Sequence, residues 1–389
     1  MKEFRFAFPV NIYFGNGELK KIGEAARELG TKALVVTGQG SMRRLGVLDR
    51  VESYLKEAGV EMVLFEGVEI NPLITSVEKG SELARQEGCD LIIGVGGGSA
   101  IDAAKVIAVA AVNDGPAWNY VPSGDPGDRE PQRALPIITV PTVAATGTEA
   151  NRYAVITNPH TKEKPGLGHP LIYPKVSIVD PELMLSVSPR ITAAGGMDVL
   201  FHALENYVNP KATPFTDMMA EKAISLVIKY LPRVYADGQD IAGRYWLALA
   251  STLAGMSNDG SGTVLLHSIE HPVSGHFNVI HGEGLCALSL AFMEYSIPGN
   301  LEKFARLPEL MGYSTEGLSM EEAAKYSLKA MEDLLEKVNL NIRLRDLEVT
   351  EEILPQLARD VFKTMMGGVN NNPLVPTMEE VVEIYRKAL

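Results

Sequence analysis

The chain has 389 residues, well above the roughly 150 typical of one domain, so two or possibly three domains are expected. Hydrophobic residues make up 46% and charged residues 22%, an ordinary globular balance that excludes general disorder. A formal net charge of -13 would repel phosphate backbones and anionic headgroups, which argues against nucleic acid or membrane partners.

The N-terminus, MKEFRFAFPV, lacks the basic start, apolar core and cleavage site of a signal peptide, so a soluble, cytoplasmic protein is expected. The first half then alternates short β-branched runs with amphipathic stretches: KALVVTG, LDRVESYLKEAG, EMVLFEG, SVEKGSELARQEG, DLIIGVGGG, AIDAAKVIAVAAV and LPIITVPT. This order predicts an α/β domain with a parallel sheet covered by helices. The apolar stretch 91–112 holds Asp102, Lys105 and a glycine triplet, which suits it poorly to a bilayer. VSIVDPELMLSVSPR reads as a transition, with Pro181 and Pro189 interrupting any helix. Beyond it only long helical patterns follow, so the expected division is an α/β dinucleotide-binding domain at 1–188 and an all-helical domain at 189–389. Cys89 and Cys286 sit in apolar runs without CxxC spacing and read as buried free thiols.

Three loops in the first half suit a nucleotide. In DLIIGVGGGSAIDAAK, Gly96, Gly97, Gly98 and Ser99 lie between a buried strand and a helix, where free amides and the helix dipole attract a diphosphate. Ser99 and Asp102 also fit a capping box around an ordinary turn. In TGQGS, Gly38 and Gly40 stand where dinucleotide sites often place an acidic residue on the adenosine ribose. A 2′-phosphate would meet no carboxylate there, and Ser41 with Arg43 and Arg44 could hold it, which points to NADP(H) in preference to NAD(H). The third loop, TVPTVAATGTEAN, is rich in small and hydroxylic residues that permit close approach of a ligand.

Histidine is scarce, seven in all, yet four fall in HSIEHPVSGHFNVIH. His267 and His271 are four apart on a helix that Pro272 is expected to end or bend. Asp198 and His202 are likewise four apart, in a helical stretch that Thr192 could cap. Two polar stripes joined by His281 could close on one divalent ion. Imidazoles with one carboxylate favour Fe(II) or Zn(II) over Ca(II) or Mg(II). The same residues also fit solvated helix faces or structural histidines.

With these motifs in place, the chain resembles the iron-containing (group III) alcohol dehydrogenase family. The resemblance runs from FAFPVNIYFGNG to NNPLVPTMEEVVEIYRKAL and rests on GGGSAIDAAK, PTVAATGTE, IVDPELMLSVSPRITAAGGMDVLFHALENYV and HSIEHPVSGHFNVIHGEG. It implies metal ligation by Asp198, His202, His267 and His281, with His271 as a proton-relay group. It further implies that Gly97, Gly98 and Ser99 hold a diphosphate, that Asp102 and Asn151 lie near the nicotinamide, and that Thr139, Thr142 and Lys164 line the cofactor path. TGQGS and KEKPGLGHPLIYPK look like the NADPH-using, butanol dehydrogenase-like branch of aldehyde reductases. Ala145, Thr148 and Asn151 depart from the residues common in the family, and of these Asn151 is expected to touch cofactor. His160, His169 and His276 match no ligand position.

The activity implied is interconversion of small primary alcohols and aldehydes by hydride transfer, in a homo-oligomer. The competing readings are a metal- and NAD-dependent lyase of the dehydroquinate synthase type, which needs a basic cluster not seen around residues 250–290, and a non-catalytic nucleotide-binding protein. A hydrolase using metal-activated water leaves the three loops unexplained.

Overall fold

A computed structural model describes residues 3–122 and 129–389. The chain forms two compact units, one of Ala7–Val187 and one that combines Ser188–Leu389 with the N-terminal residues through Phe6.

In the first unit the near-continuous apolar runs become parallel strands, the central ones buried on both faces. The strands are β1 (Asn11–Phe14), β2 (Lys32–Gly38), β3 (Glu61–Val68), β4 (Leu91–Gly96), β5 (Ile137–Pro141), the antiparallel pair β6 (Tyr153–Val155) and β7 (Gly166–Gly168), and β8 (Val176–Val179). Between them lie α1 (Ile22–Leu29), α2 (Ser41–Arg44), α3 (Val47–Glu57), α4 (Ile74–Glu87) and α5 (Gly98–Ala110). The main sheet is wholly parallel, in the order β1-β8-β5-β4-β2-β3.

Side chains alternate across this sheet with a period of two. Leu34, Val36, Ile92 and Ile137 pack under α4 and α5. Ala33, Val35, Leu91, Ile93, Val95, Ile138 and Val140 pack on the opposite face with α1 and α3. Each fully buried Val, Leu or Ile contributes about 1.5–3 kcal/mol by leaving water. Because α3 and α5 cover opposite faces, the chain leaves β2 and β4, which are neighbours, in opposite directions. The carboxyl ends of these strands therefore open a crevice at a topological switch point, where doubly wound sheets bind ligands.

The segment VSIVDPELMLSVSPR supplies more than a transition, since its first four residues form β8 between β5 and β1. Asp180, just beyond β8, accepts hydrogen bonds from the Gly17 and Leu19 amides at 3.0 and 3.1 Å. It fixes the turn that follows β1.

The second unit is helical: α6 (Pro189–Val208), α7 (Pro214–Ala236), α8 (Ile241–Ser261), α9 (Leu265–Phe277), α10 (His281–Ser296), α11 (Leu301–Leu310), α12 (Met320–Lys337), α13 (Leu354–Thr364), α14 (Met366–Asn371) and α15 (Met378–Ala388). Among the described residues it holds no strand. Among the described residues no helix is long and apolar enough to cross a membrane.

Two local expectations change. The N-cap of α6 is Ser188, whose hydroxyl accepts from the Ile191 amide, with Pro189 at the first helical position. Thr192 lies one turn inside, where its hydroxyl accepts from Arg244 Nη1 at 2.9 Å. Pro272 does not end α9, which continues to Phe277. A proline removes one i to i−4 hydrogen bond, here to the Ser268 carbonyl, and burial of the surrounding turns outweighs that loss.

Candidate active site

From Thr192 to Val208 every residue of α6 is buried, so this helix runs through the interior rather than along a surface. Asp198, His202 and Glu205 follow one another at helical spacing along it. His267, Glu270 and His271 occupy the first two turns of α9, and His281 is the first residue of α10. The approach of α10 to α6 depends on Gly282, where an added Cβ would lie 2.1 Å from the Ala194 carbonyl oxygen. Beside this contact Arg190 Nη2 of α6 donates to Glu283 Oε2 of α10 at 2.8 Å.

The three helices bring donor atoms of Asp198, His267 and His281 to within 4.8 Å of one another. Asp198 Oδ1 stands 3.5 Å from His267 Nε2 and 3.8 Å from His281 Nε2. Both Asp198 Oδ1 and His267 Nε2 are buried without a hydrogen-bond partner, an arrangement that is costly unless something else occupies the space they share.

His202 lies beside this group but not within the same triangle of donors. Its ring centroid is 4.1 Å from that of His267. Its Nδ1 is 2.9 Å from the Asp198 main-chain carbonyl and equally 2.9 Å from Oδ1. The ring N–H can satisfy only one of them well, and the carbonyl, with the better geometry, takes it. Oδ1 is then left without a hydrogen bond.

Electrostatics follow from this crowding. Burial opposes charge on His267, but Glu205 and Asp198 outweigh it and raise its pKa to about 10. Burial likewise opposes ionisation of Asp198, and the surrounding imidazoles override it, holding the carboxyl well below its ordinary range. His271 is buried at the edge of the cluster, its ring centroid 5.5 Å from that of His281 and 6.3 Å from that of His267.

Two carboxylates complete the site. His267 Nδ1 is hydrogen-bonded to Glu205 Oε2, and His281 Nδ1 to Glu270 Oε2. Both glutamates are fully buried. Sequence reasoning missed them, although each lies three residues after a cluster histidine, Glu205 as the one acid in the largely apolar run FHALENYV. A lone acid in such a run is the available signal.

Of the remaining histidines, His160 is exposed. His169 accepts from the Leu171 amide at 3.1 Å, and His276 pairs with Asp360 at 2.8 Å. Both cysteines are buried and unpaired.

In the α/β unit, Gly38 to Ser41 follow β2, and Gly97 to Ser99 follow β4, so both glycine turns border the switch-point crevice. Gly97 caps α5 in an extended conformation, and the first amides of that helix have no intrahelical acceptor. A Cβ at Gly98 would come within 2.8 Å of the Thr146 side chain, which explains the glycine by close approach of the third loop. The Ser99 hydroxyl donates to the Ile70 carbonyl. Asp102 forms no capping box. Its carboxylate accepts from Thr148 Oγ1 at 2.7 Å and the Val155 amide at 2.9 Å.

Several expected cofactor residues are thus engaged within the protein. Thr139 Oγ1 pairs with Ser177 Oγ at 2.7 Å. Asn151 Oδ1 accepts from the Tyr153 amide at 2.9 Å, while Nδ2 donates to the Gly147 carbonyl at 3.2 Å. The Thr142 amide donates to the Gly96 carbonyl at 2.9 Å, and the Lys164 side chain is buried with Asp102 in its field. Lys105, fully buried, donates to the Thr148 and Tyr153 carbonyls at 2.7 Å each and ties this loop to α5. At the end of β2, a Cβ on Gly38 would make ordinary contact with the Val68 carbonyl oxygen at 3.6 Å. Arg43 is bound to Glu66 at 3.0 Å, whereas the Arg44 guanidinium folds over Gly40.

A parallel sheet with a glycine turn at its switch point, joined in one chain to a helical unit with a buried Asp/His cluster, fits a nucleotide-dependent metalloenzyme. The chain belongs to the iron-containing alcohol dehydrogenase family. The model "Iron-containing alcohol dehydrogenase" matches residues 9–181, and "Fe-containing alcohol dehydrogenase family, C-terminal" matches residues 192–389. The chain is 39% identical to choline dehydrogenase of Bacillus subtilis (strain 168), over 93% of this chain and 90% of that protein. It is 35% identical to NADH-dependent butanol dehydrogenase B of Clostridium acetobutylicum, over the whole of both. Among solved structures, an archaeal halo-thermophilic Red Sea brine pool alcohol dehydrogenase superposes with a TM-score of 0.97 at 39% identity, covering 100% of each chain. The protein is accordingly an oxidoreductase of a family that uses a divalent metal and a nicotinamide cofactor.

Proposed function

We propose that this enzyme interconverts small primary alcohols and aldehydes, using one divalent ion, Fe(II) or Zn(II), at Asp198, His202, His267 and His281. The observation that carries the reading is the pair of buried, unpartnered atoms Asp198 Oδ1 and His267 Nε2 facing each other at 3.5 Å. A hydrogen bond would be shorter, and an ion would satisfy both. Three imidazoles and a carboxylate form the mixed nitrogen and oxygen set that suits first-row divalent metals. When bound, the metal supplies Lewis acidity to the substrate oxygen and the nicotinamide exchanges a hydride with the substrate carbon.

The chain's own residues supply the rest. Asp198 contributes the single negative charge among the proposed ligands. His271, buried beside His281, moves the hydroxyl proton toward solvent, imidazole being the side chain most often used for proton transfer. Residues 1–188 act as the dinucleotide-binding domain and 189–389 as the metal and substrate domain. Amides at Gly97, Gly98 and Ser99 receive the diphosphate, with Thr142 and Lys164 along the cofactor path. Asp102, Thr139 and Asn151, already bonded within the protein, serve by holding the surrounding loops in shape. NADPH is preferred, because Gly38 leaves room for a 2′-phosphate that Ser41 and Arg44 can meet. The cited butanol dehydrogenase B is named NADH-dependent, so the preference belongs to this crevice and not to the family. The enzyme works as a cytoplasmic homo-oligomer.

The test is oxidation of NADPH and NADH by metal-stripped enzyme with butyraldehyde, before and after addition of Fe(II) or Zn(II). Metal-dependent, stoichiometric consumption of cofactor supports the reading. Equal turnover without metal, or none with any aldehyde, overturns it.

A further inference from the structure

An imidazole binds a metal through one nitrogen only when that nitrogen is unprotonated, and the hydrogen bond at the other nitrogen decides which one is available. We propose that Glu205 and Glu270 are positioning residues that make this choice, each helix of the cluster passing a carboxylate to the histidine of the next. The inference rests on the reading of His267 and His281 as ligands.

Glu205 belongs to α6 and reaches the start of α9. Its Oε1 accepts from the amides of Val264 and His267 at 2.9 and 3.2 Å, while its Oε2 takes the His267 Nδ1 hydrogen. Val264, the N-cap of α9, brings no side-chain acceptor of its own. Glu205 therefore caps α9 from another helix, placing negative charge where the helix dipole favours it. It fixes the main chain and the ring of His267 together, with Nε2 left toward Asp198.

Glu270, one turn along α9, repeats the arrangement toward α10. Its Oε2 takes the His281 Nδ1 hydrogen, and its Oε1 accepts from the Ser274 hydroxyl. Gly284 admits it, since a Cβ there would stand 2.6 Å from Glu270 Oε1. The sequence of contacts runs from α6 to α9 to α10, and in both histidines the nitrogen aimed at Asp198 is Nε2.

Cohesion alone does not account for two fully buried carboxylates. Apart from the cap that Glu205 gives α9, apolar side chains of similar volume would hold the three helices together at least as well, without the cost of desolvating anions. Fixing two imidazoles in one tautomer and one orientation is a task that an apolar side chain cannot perform.

The experiment measures Zn(II) affinity of metal-stripped, full-length protein by competition with a chromophoric chelator, alongside circular dichroism of the metal-free form. Glu205→Ala and Glu270→Ala are expected to keep their helix content and weaken zinc binding by about 10–100-fold. Glu270→Gln, whose amide oxygen still accepts the Nδ1 hydrogen while its NH2 can donate to the Ser274 hydroxyl, should recover most of that loss, and Glu205→Gln, which cannot accept from both the Nδ1 hydrogen and the two amides, only part of it. A purely structural role would lower the melting temperature of all four variants and leave the affinity of the folded protein unchanged, which would overturn the proposal. If Glu205→Ala does not fold, Glu205→Gln and the two Glu270 variants decide the outcome. His267→Ala separates the levels: wild-type binding abolished by His267→Ala upholds the metal site even where the glutamate variants bind normally, whereas a wild type that binds no zinc removes both.

Discussion

Gly282→Ala tests how tightly the cluster depends on helix spacing. The new methyl would be placed 2.1 Å from the Ala194 carbonyl oxygen and 2.6 Å from its carbon, where ordinary contact begins near 3.4 Å. Because the obstacle is main chain, it cannot rotate away, and α10 must retreat from α6 by roughly an ångström, at an overpacking cost of about 1–3 kcal/mol. His281, the adjacent residue, moves with it, away from Asp198 Oδ1 at 3.8 Å. Metal–ligand distances tolerate only about 0.2 Å, so affinity should suffer more than folding. The expected result is a cooperative fold, melting several degrees lower, with zinc affinity reduced by about tenfold or more, the equivalent of about 1.4 kcal/mol. Gly367→Ala, which meets nothing within 4 Å, is the control. Wild-type zinc affinity in folded Gly282→Ala would refute the reasoning, because it would mean that the ligand set does not depend on the closeness of these helices.

His271→Ala should retain a full complement of metal while kcat falls by roughly 10²–10⁴-fold, the range for loss of a positioned acid or base; metal analysis with steady-state kinetics checks both, and loss of the metal would make His271 a ligand instead. Gly38→Asp, where a Cβ meets nothing closer than 3.6 Å, should raise the KM for NADPH by about tenfold, or 1.4 kcal/mol, with little effect on NADH; unchanged NADPH kinetics would count against the 2′-phosphate pocket. Lys105→Met leaves the Thr148 and Tyr153 carbonyls and buried Asp102 without their donor or counter-charge. At about 1–3 kcal/mol for each unsatisfied group, the urea midpoint should fall clearly. Asp90 is partly buried, which opposes its ionisation, but bonds from the Lys32 amide and from the Thr31 side chain and amide outweigh this and lower its pKa below 3.8. Its contribution to stability is therefore present above 3.8 and lost as pH falls through the lowered value. Asp90→Asn should be less stable than wild type near neutrality, with the gap closing in acid, as measured by denaturant unfolding across that range.

What the sequence determined by itself was whatever local periodicity encodes. Apolar runs of strand length followed by amphipathic stretches specified the α/β half, and unbroken helical patterns the rest. The i, i+4 spacing put Asp198 beside His202 and His267 beside His271, because a helical turn is fixed by neighbouring residues alone. Glycines at β-strand ends marked both turns of the switch-point crevice for the same reason. The tertiary structure decided the rest. The pairing of β1 with β8 joins residues more than 160 positions apart in a four-residue strand too short to show a pattern. The bonds of Asp102 to Thr148 and Val155 and of Arg43 to Glu66 likewise join residues that no local pattern pairs. Above all, whether a buried glutamate meets a histidine depends on how helices cross, and their crossing is set by packing at Gly282 and Gly284, which no local pattern encodes. The histidines could be read from spacing, but the carboxylates that orient them appear only once α6, α9 and α10 are packed together.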